Sequence, residues 1–274
     1  MGFPHLMPLS TPENFPMRAQ ATTARAVAGF LLDLSLAVIL LFALTLICGL
    51  VWGVGRGMQM GLDGENLSNP ATLVSSLGQP SAIAIIVMTL FSTGAAALLV
   101  YWWRRRASFE ERAYSYRAAL RWQTLGWVVI TATATFLASV ALSALGQHYG
   151  IKPQPSNLSL IEAASATHPV FMLLFGVLIA PAYEELLFRR VLFGRLWQAG
   201  KPWLGVALSS AAFALMHEIP GMGGNTWQAT ALLWGIYGAM GAAFALVYWR
   251  TRTLWAAIGA HALNNGIALL LLKL

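Results

Sequence analysis

Seven apolar stretches, near residues 26–52, 81–103, 122–145, 168–198, 202–217, 228–249 and 253–272, constrain what this chain can fold into. A helix needs about 20 mainly apolar residues to cross the hydrocarbon core of a bilayer. Within lipid no water is available to the backbone, so a spanning segment must be a helix or a strand of a closed barrel. The stretches lack the apolar–polar alternation of barrel strands, and the expected fold is therefore all-α: a polytopic transmembrane bundle of about seven spanning helices. The fifth stretch is short and the fourth long, so their ends are the least defined. Composition agrees, with 58% hydrophobic and 10% charged residues and a mean hydropathy of +0.65, values foreign to a water-soluble domain of this size.

The first stretch follows about 25 polar or mixed residues and exceeds the roughly 7–15-residue core of a signal peptide, so it is expected to stay as a spanning helix. The one cysteine, Cys48, lies within it, which excludes an internal disulfide and a thiolate metal cluster and leaves a packing role. Arginine and lysine set the orientation. Residues 104–121 hold six arginines against Glu110 and Glu111, and the turns with Arg195 and Lys201 and with Arg250 and Arg252 are also basic. These belong inside, together with the amino terminus and its Arg18 and Arg25. Loops 54–80 (Arg56, Asp63, Glu65) and 146–167 (Lys152, Glu162) have no basic excess and belong outside, as does the carboxyl terminus. The expected location is a cell membrane, crossed many times, which is the cytoplasmic membrane in a bacterium.

A net charge of +7 would suit a nucleic-acid partner, but the positive residues sit at helix ends, where orientation and anionic lipid require them. The partner is the lipid bilayer and not nucleic acid. Residues 107–121 can form an interfacial helix with Phe109, Tyr114 and Tyr116 at headgroup level, or a solvated basic loop. Trp102, Trp103, Trp122, Trp203 and Trp249 mark segment ends as an aromatic belt. Gly235, Gly238 and Gly241 recur every three residues and predict close helix contact. Asp33 either pairs with Arg190, lines a cavity or is hydrated near the interface.

The polar residues within apolar stretches concentrate after 168. The chain accordingly divides into a cytoplasmic segment (1–25), a supporting three-helix half (26–145) and a site-bearing four-helix half (168–272). In the fourth stretch Glu184 and Glu185 lie with Arg189, and a charge at such depth marks a functional site by default. Consecutive helical residues point about 100° apart, whereas Glu185 and Arg189 are four apart, on one face and in the favourable order for an ion pair. Glu184 is thus left to face elsewhere. Pro181 removes a backbone hydrogen bond and is expected to bend the helix beside them. His217 shares a face with Phe213, and His261 with Asn265; Asn264 is an offset alternative. At 1.5 Å per residue from the nearest basic turn, His261 is roughly 14 Å deep and Glu184 and His217 roughly 20–25 Å, levels that tilt and a bend can bring together.

The runs EELLFR (184–189), FALMH (213–217) and HALNN (261–265) match, in order, the signatures EExxxR, FxxxH and HxxxN. Over about residues 168–272 the chain resembles the CPBP family, the CAAX prenyl endopeptidases and bacteriocin-processing proteins also called the ABI family. The resemblance implies an intramembrane glutamate-dependent endopeptidase without a metal. Glu184 would be the general base that activates water, His217 its orienting partner, Glu185 and Arg189 the second motif glutamate and its arginine, and His261 with Asn265 the pair stabilising the oxyanion. A peptide or membrane-protein substrate is implied, and no cofactor is expected. Prenylated proteins, leader peptides and membrane proteins all remain open as substrates, as does the oligomeric state.

Zinc is the enzymatic rival, since Glu and two His are zinc ligands. But His217-Glu218 is followed by Gly221 where HExxH needs histidine, and Asn265 is a poor ligand. A non-proteolytic scaffold or regulator needs no water-activating carboxylate. A transporter would be expected to show paired broken helices, and the chain has no internal repeat.

Overall fold

The computed structural model describes residues 22–64 and 76–271. Expectations for residues 1–21, Arg18 among them, and for Glu65 lie outside the described residues. Nine helices follow one another among the described residues: α1 (Thr23–Leu62), α2 (Ala82–Arg104), α3 (Phe109–Ala119), α4 (Trp122–His148), α5 (Leu158–Thr167), α6 (Pro169–Gln198), α7 (Pro202–His217), α8 (Trp227–Thr251) and α9 (Leu254–Leu271). The described residues contain no strand. Six of the helices, α1, α2, α4, α6, α8 and α9, are long and apolar enough to cross a membrane. The chain is an all-α, multi-pass membrane protein. The expected seventh span, 202–217, forms a helix of 16 residues, about 24 Å by its rise, somewhat short of a full crossing.

Local chemistry sets the boundaries. Ser81 accepts from the Ala84 N–H at 3.3 Å and starts α2, and Thr226 accepts from the Ala229 N–H at 3.3 Å and starts α8. Gly200, at φ +75°, follows the end of α6, and Pro202 opens α7, the usual glycine-then-proline punctuation of a tight helical hairpin. α1 has 40 residues, about 60 Å, twice what the bilayer core requires, and it extends well past the expected end near residue 52. Most of its apolar side chains face outward, which suits a lipid-facing helix held at one end. Cys48 is half-buried there.

α6 is not uniform. Its turns at Phe175–Ile179 and Leu186–Phe193 are π-helical, with ordinary α-helix between them. Pro181 lacks an N–H and its ring would press on the carbonyl four residues back, and widening the preceding turn relieves the clash. The Ala180 N–H accordingly donates to Phe175 O, five residues back. At the second wide turn a Cβ on Gly194 would sit 3.3 Å from Arg189 O, so a hydrogen there keeps the turn uncrowded.

Packing around α6 builds the core. Phe30 of α1, Val100 of α2, Phe188 and Leu192 of α6 and Phe213 of α7 form one buried cluster, while Phe193, Phe244, Tyr248 and Ala257 join α6, α8 and α9 in another. α4 packs on α8 and α9. Of the three glycines in α8, only Gly241 works as expected: a Cβ there would meet Ser210 Cα of α7 at 3.0 Å, whereas Gly235 and Gly238 have open space beside them. Residues 109–119 do form a helix, closed by a capping box in which Ser108 Oγ accepts from the Glu111 N–H and Glu111 Oε2 from the Ser108 N–H.

Asp33 is fully buried, and its partner is not Arg190. Its Oδ1 accepts from Arg104 Nε at 2.8 Å and its Oδ2 from Arg195 Nε at 2.6 Å, tying α1, α2 and α6 together. Arg190 instead reaches Glu111 of α3, 2.7 Å from Nη2 to Oε2, and donates to Arg105 O.

Candidate active site

Glu184 and Glu185 leave the α-helical segment between the two wide turns in different directions, as adjacent helical residues must. Glu185 points into protein: Oε2 lies 2.9 Å from Arg189 Nε one turn on, and both side chains are fully buried. This contact is an ion pair without hydrogen-bond alignment. All three guanidinium nitrogens are buried with no hydrogen-bonding partner among the described residues. Aromatic faces surround them instead, with the guanidinium carbon 4.6 Å from the Phe213 ring centre, 5.6 Å from Phe244 and 5.8 Å from Phe188. A guanidinium is weakly hydrated and planar, so it tolerates a ring-lined site that an ammonium would not.

Glu185 Oε1 accepts from His261 Nδ1–H at 2.9 Å, which leaves His261 Nε2 facing outward from that pair, 3.8 Å from Glu184 Oε2. The α9 imidazole is stacked on Phe244 at 4.7 Å and 18°. On α7, His217 Nδ1 lies 2.9 Å from Phe213 O. A carbonyl only accepts, so Nδ1 carries the proton and Nε2 is the free nitrogen; it lies 3.6 Å from Glu184 Oε2. Phe213 and Tyr237 flank that ring at 4.1 and 4.9 Å. Glu184 therefore has two imidazole nitrogens beside one oxygen, each just beyond hydrogen-bond reach and at a spacing that a single water can bridge from the side. Its side chain is 19% exposed while Glu185 behind it is sealed, so one carboxylate is open to its surroundings and the other is not.

Asn265 is placed differently. Its Nδ2 donates to Gly176 O of α6 at 2.9 Å, and its Oδ1 accepts from Asn264 Nδ2 at 3.3 Å. Asn264 Oδ1 in turn accepts from Thr135 Oγ1 of α4 at 3.0 Å. The structure thus brings Glu184, Glu185, Arg189, His217 and His261 into one cluster and ties Asn265 to the α6 backbone beside it. The depths counted along straight helices differ by several ångströms, yet Glu184, His217 and His261 converge.

Residues 166–267 match the family model described as type II CAAX prenyl endopeptidase Rce1-like. The site-bearing segment is thus similar to the CPBP family, and the relatives point the same way. Two curated relatives are similar to the chain: "Putative membrane peptidase YdiL" of Bacillus subtilis (strain 168), 27% identical over 147 residues covering 54% of each chain, and "Membrane-embedded CAAX protease MroQ" of Staphylococcus aureus (strain USA300), 28% identical over 155 residues covering 54% of this chain and 56% of the relative. The chain thus spans about half the length of the curated relatives it matches. No solved structure matches.

The site-bearing segment uses residues that sequence reasoning did not single out. Phe188 and Phe244 complete the aromatic seat of Arg189, and nothing in an apolar helix distinguishes such a ring from ordinary core. Phe213 was visible as the first letter of FxxxH, yet its double duty under Arg189 and His217 was not. Glu218, noted only for the absent HExxH, is buried: it accepts from the Ser156 N–H at 3.1 Å and Asn225 Nδ2 at 2.9 Å, and its carbonyl accepts from Trp234 Nε1 at 2.8 Å. This pins the loops 149–157 and 218–226 together immediately after His217. A Cβ on Gly223 would lie 2.7 Å from Glu218 Oε1, so that loop also needs its glycine.

Proposed function

We propose that this protein is an intramembrane endopeptidase in which Glu184 activates a water molecule for attack on a peptide carbonyl. The observation that carries this reading is the placement of Glu184 Oε2 3.6 and 3.8 Å from the Nε2 atoms of two histidines, with the rest of the charge sealed behind it. A water donating one hydrogen to Glu184 Oε2 and the other to His217 Nε2 has its lone pair turned toward a substrate. Glu184 takes the proton as the oxygen–carbon bond forms, and returns it to the leaving amine as the carbon–nitrogen bond breaks. Positioned general-base catalysis of this kind contributes about 10²–10⁴ in rate.

His261 is the oxyanion partner in this reading. With Nδ1–H engaged by Glu185, its Nε2–H in the imidazolium form is a donor on the Glu184 side, where charge gathers on the carbonyl oxygen. Two carboxylates against one guanidinium leave the cluster one negative charge, which a single imidazolium neutralises. Glu185 and Arg189 hold His261 in place. The family match and the relatives' names support a membrane protease with a peptide substrate. The metal-free mechanism is favoured by the sequence pattern, since Gly221 stands where HExxH needs its second histidine and Asn265 is a poor zinc ligand. In the same reading residues 26–145 support the site carried by 168–272, with Thr135 reaching across to it. If α7, though short, carries the chain across as a seventh segment, the basic helix ends and the amino terminus face the cytoplasm and the carboxyl terminus lies outside.

The test is cleavage of a fluorogenic farnesylated CAAX peptide and of an unmodified membrane-segment peptide by the purified protein in liposomes. Cleavage of either one, abolished by Glu184→Ala and by His217→Ala and indifferent to chelators, is the expected result. Activity lost to a chelator and restored by zinc overturns the metal-free mechanism, and activity that survives Glu184→Ala overturns the assignment of the base.

A further inference from the structure

We propose that Asn265 is a positioning residue: its amide donates to the Gly176 carbonyl the hydrogen bond that Pro181 cannot supply, and so holds open the wide turn of α6 that aims Glu184. The inference deepens the peptidase reading and rests on Glu184 as its base.

The accounting of backbone bonds carries it. In an α-helix the Gly176 carbonyl would receive the Ala180 N–H, but that N–H is given to Phe175 O. In the π register it would receive the N–H of residue 181, and residue 181 is proline. Both main-chain donors are therefore missing for this carbonyl, in a membrane setting where an unmatched backbone group is expensive. Asn265 Nδ2 fills the place at 2.9 Å.

The amide is not free to turn over. The Gly176 carbonyl only accepts, so the nitrogen of Asn265 must face it, and Asn265 Oδ1 is then left to accept from Asn264 Nδ2 at 3.3 Å, while Asn264 Oδ1 lies 3.0 Å from the Thr135 hydroxyl, which also reaches Thr131 O and Ala132 O at 2.9 Å. Reversing Asn265 would set its oxygen against Gly176 O and its nitrogen against another amide nitrogen. The segment Ala180–Glu185 begins right after this turn, and Glu184 is eight residues, about two turns, beyond Gly176. A small change in the turn therefore swings Glu184 away from His217 and His261, and a misplacement near 1 Å costs about 10² in rate.

The rival role, direct donation to the oxyanion, makes a different forecast. Wild type, Asn265→Ala, Pro181→Ala and the double variant are compared in liposomes on whichever of the two peptides wild type cleaves. Pro181→Ala restores an N–H where Gly176 lacks one. The expected result is that Asn265→Ala lowers kcat with KM little changed and moves the acid limb of the kcat–pH profile. In the Pro181→Ala background its loss then shrinks about ten-fold and the acid limb returns. An undiminished loss with an unmoved pH profile means that Asn265 acts on the reacting atoms and overturns the proposal. Failure of wild type to cleave counts against the peptidase reading alone. In that case, or if Pro181→Ala is itself inactive, the thermal midpoints of the same four proteins decide. A smaller drop for Asn265→Ala when residue 181 is alanine supports the capping bond, and equal drops in both backgrounds overturn it.

Discussion

Arg189 shows how one side chain can carry opposite requirements. It is fully buried and paired with Glu185, yet its N–H groups find rings instead of hydrogen-bond acceptors. The delocalised guanidinium suits this seat, and Lys, a compact ammonium that holds its hydration tightly, does not. Arg189→Lys is expected to lower the thermal midpoint and to abolish cleavage while leaving the protein in the membrane. Arg189→Met leaves the buried Glu185 with His261 as its one remaining partner and costs up to about 3–5 kcal/mol, which unfolding of the detergent-solubilised protein will read. If Arg189→Met, alone, proves as stable as wild type, Glu185 is not held as a charged partner. The six motif residues stood out in the sequence at this scale, because polar and charged side chains in an apolar run are conspicuous. Phe244 and Phe188 were not, since a ring that seats a cation has the same spelling as a ring that fills a core.

At the scale of the element, two helices show how local chemistry sets direction. The bend of α6 was readable from Pro181, but the two wide turns were not, because the second owes its form to packing around Arg189 and Gly194 and to no proline. Residues 107–121 could form an interfacial helix or a loop, and the capping box of Ser108 and Glu111 with the tie from Glu111 to Arg190 makes 109–119 a helix. Burial by itself raises the Glu111 carboxyl, but the hydrogen bond from Arg190, the Ser108 N–H and the positive charges of Arg190 and Arg105 outweigh it and hold the group below the ordinary carboxylate range. A depressed carboxyl contributes stability that is present above its unfolded value, near 4.3, and lost as pH falls through the lower folded one. The anchoring of α3 on α6 is therefore expected to weaken on acidification below about pH 4. Thermal midpoints measured across that range should fall less steeply in Glu111→Gln than in wild type, and parallel slopes would remove Glu111 from the account.

Across the whole molecule, Asp33 joins helices far apart in the chain. One buried carboxylate receives Arg104 of α2 and Arg195 of α6, so α1, otherwise turned to lipid, is clasped to the body at one end. Asp33→Ala is expected to cost stability at the low end of the about 3–5 kcal/mol typical of a broken buried pair, because the two arginines, with 33% and 19% of their side chains exposed, keep some access to water or headgroups. Limited proteolysis should then release α1 earlier than from wild type; an unchanged cleavage pattern would show that the clasp does not hold it.

The sequence by itself determined that this chain is an all-α membrane protein, since hydropathy is a sum over neighbouring residues and the bilayer requires backbone groups to be satisfied within each segment. It also named the polar residues inside the apolar runs, because each is costly where it stands. Only the tertiary structure decided which of them meet: that Glu184 faces two imidazoles, that Asp33 holds Arg104 and Arg195 and not Arg190, and that Asn265 serves Gly176. Those pairings depend on where helices cross and how far each is rotated, and single turns set that rotation. One extra residue in a wide turn redirects every side chain after it without leaving a mark on composition or period.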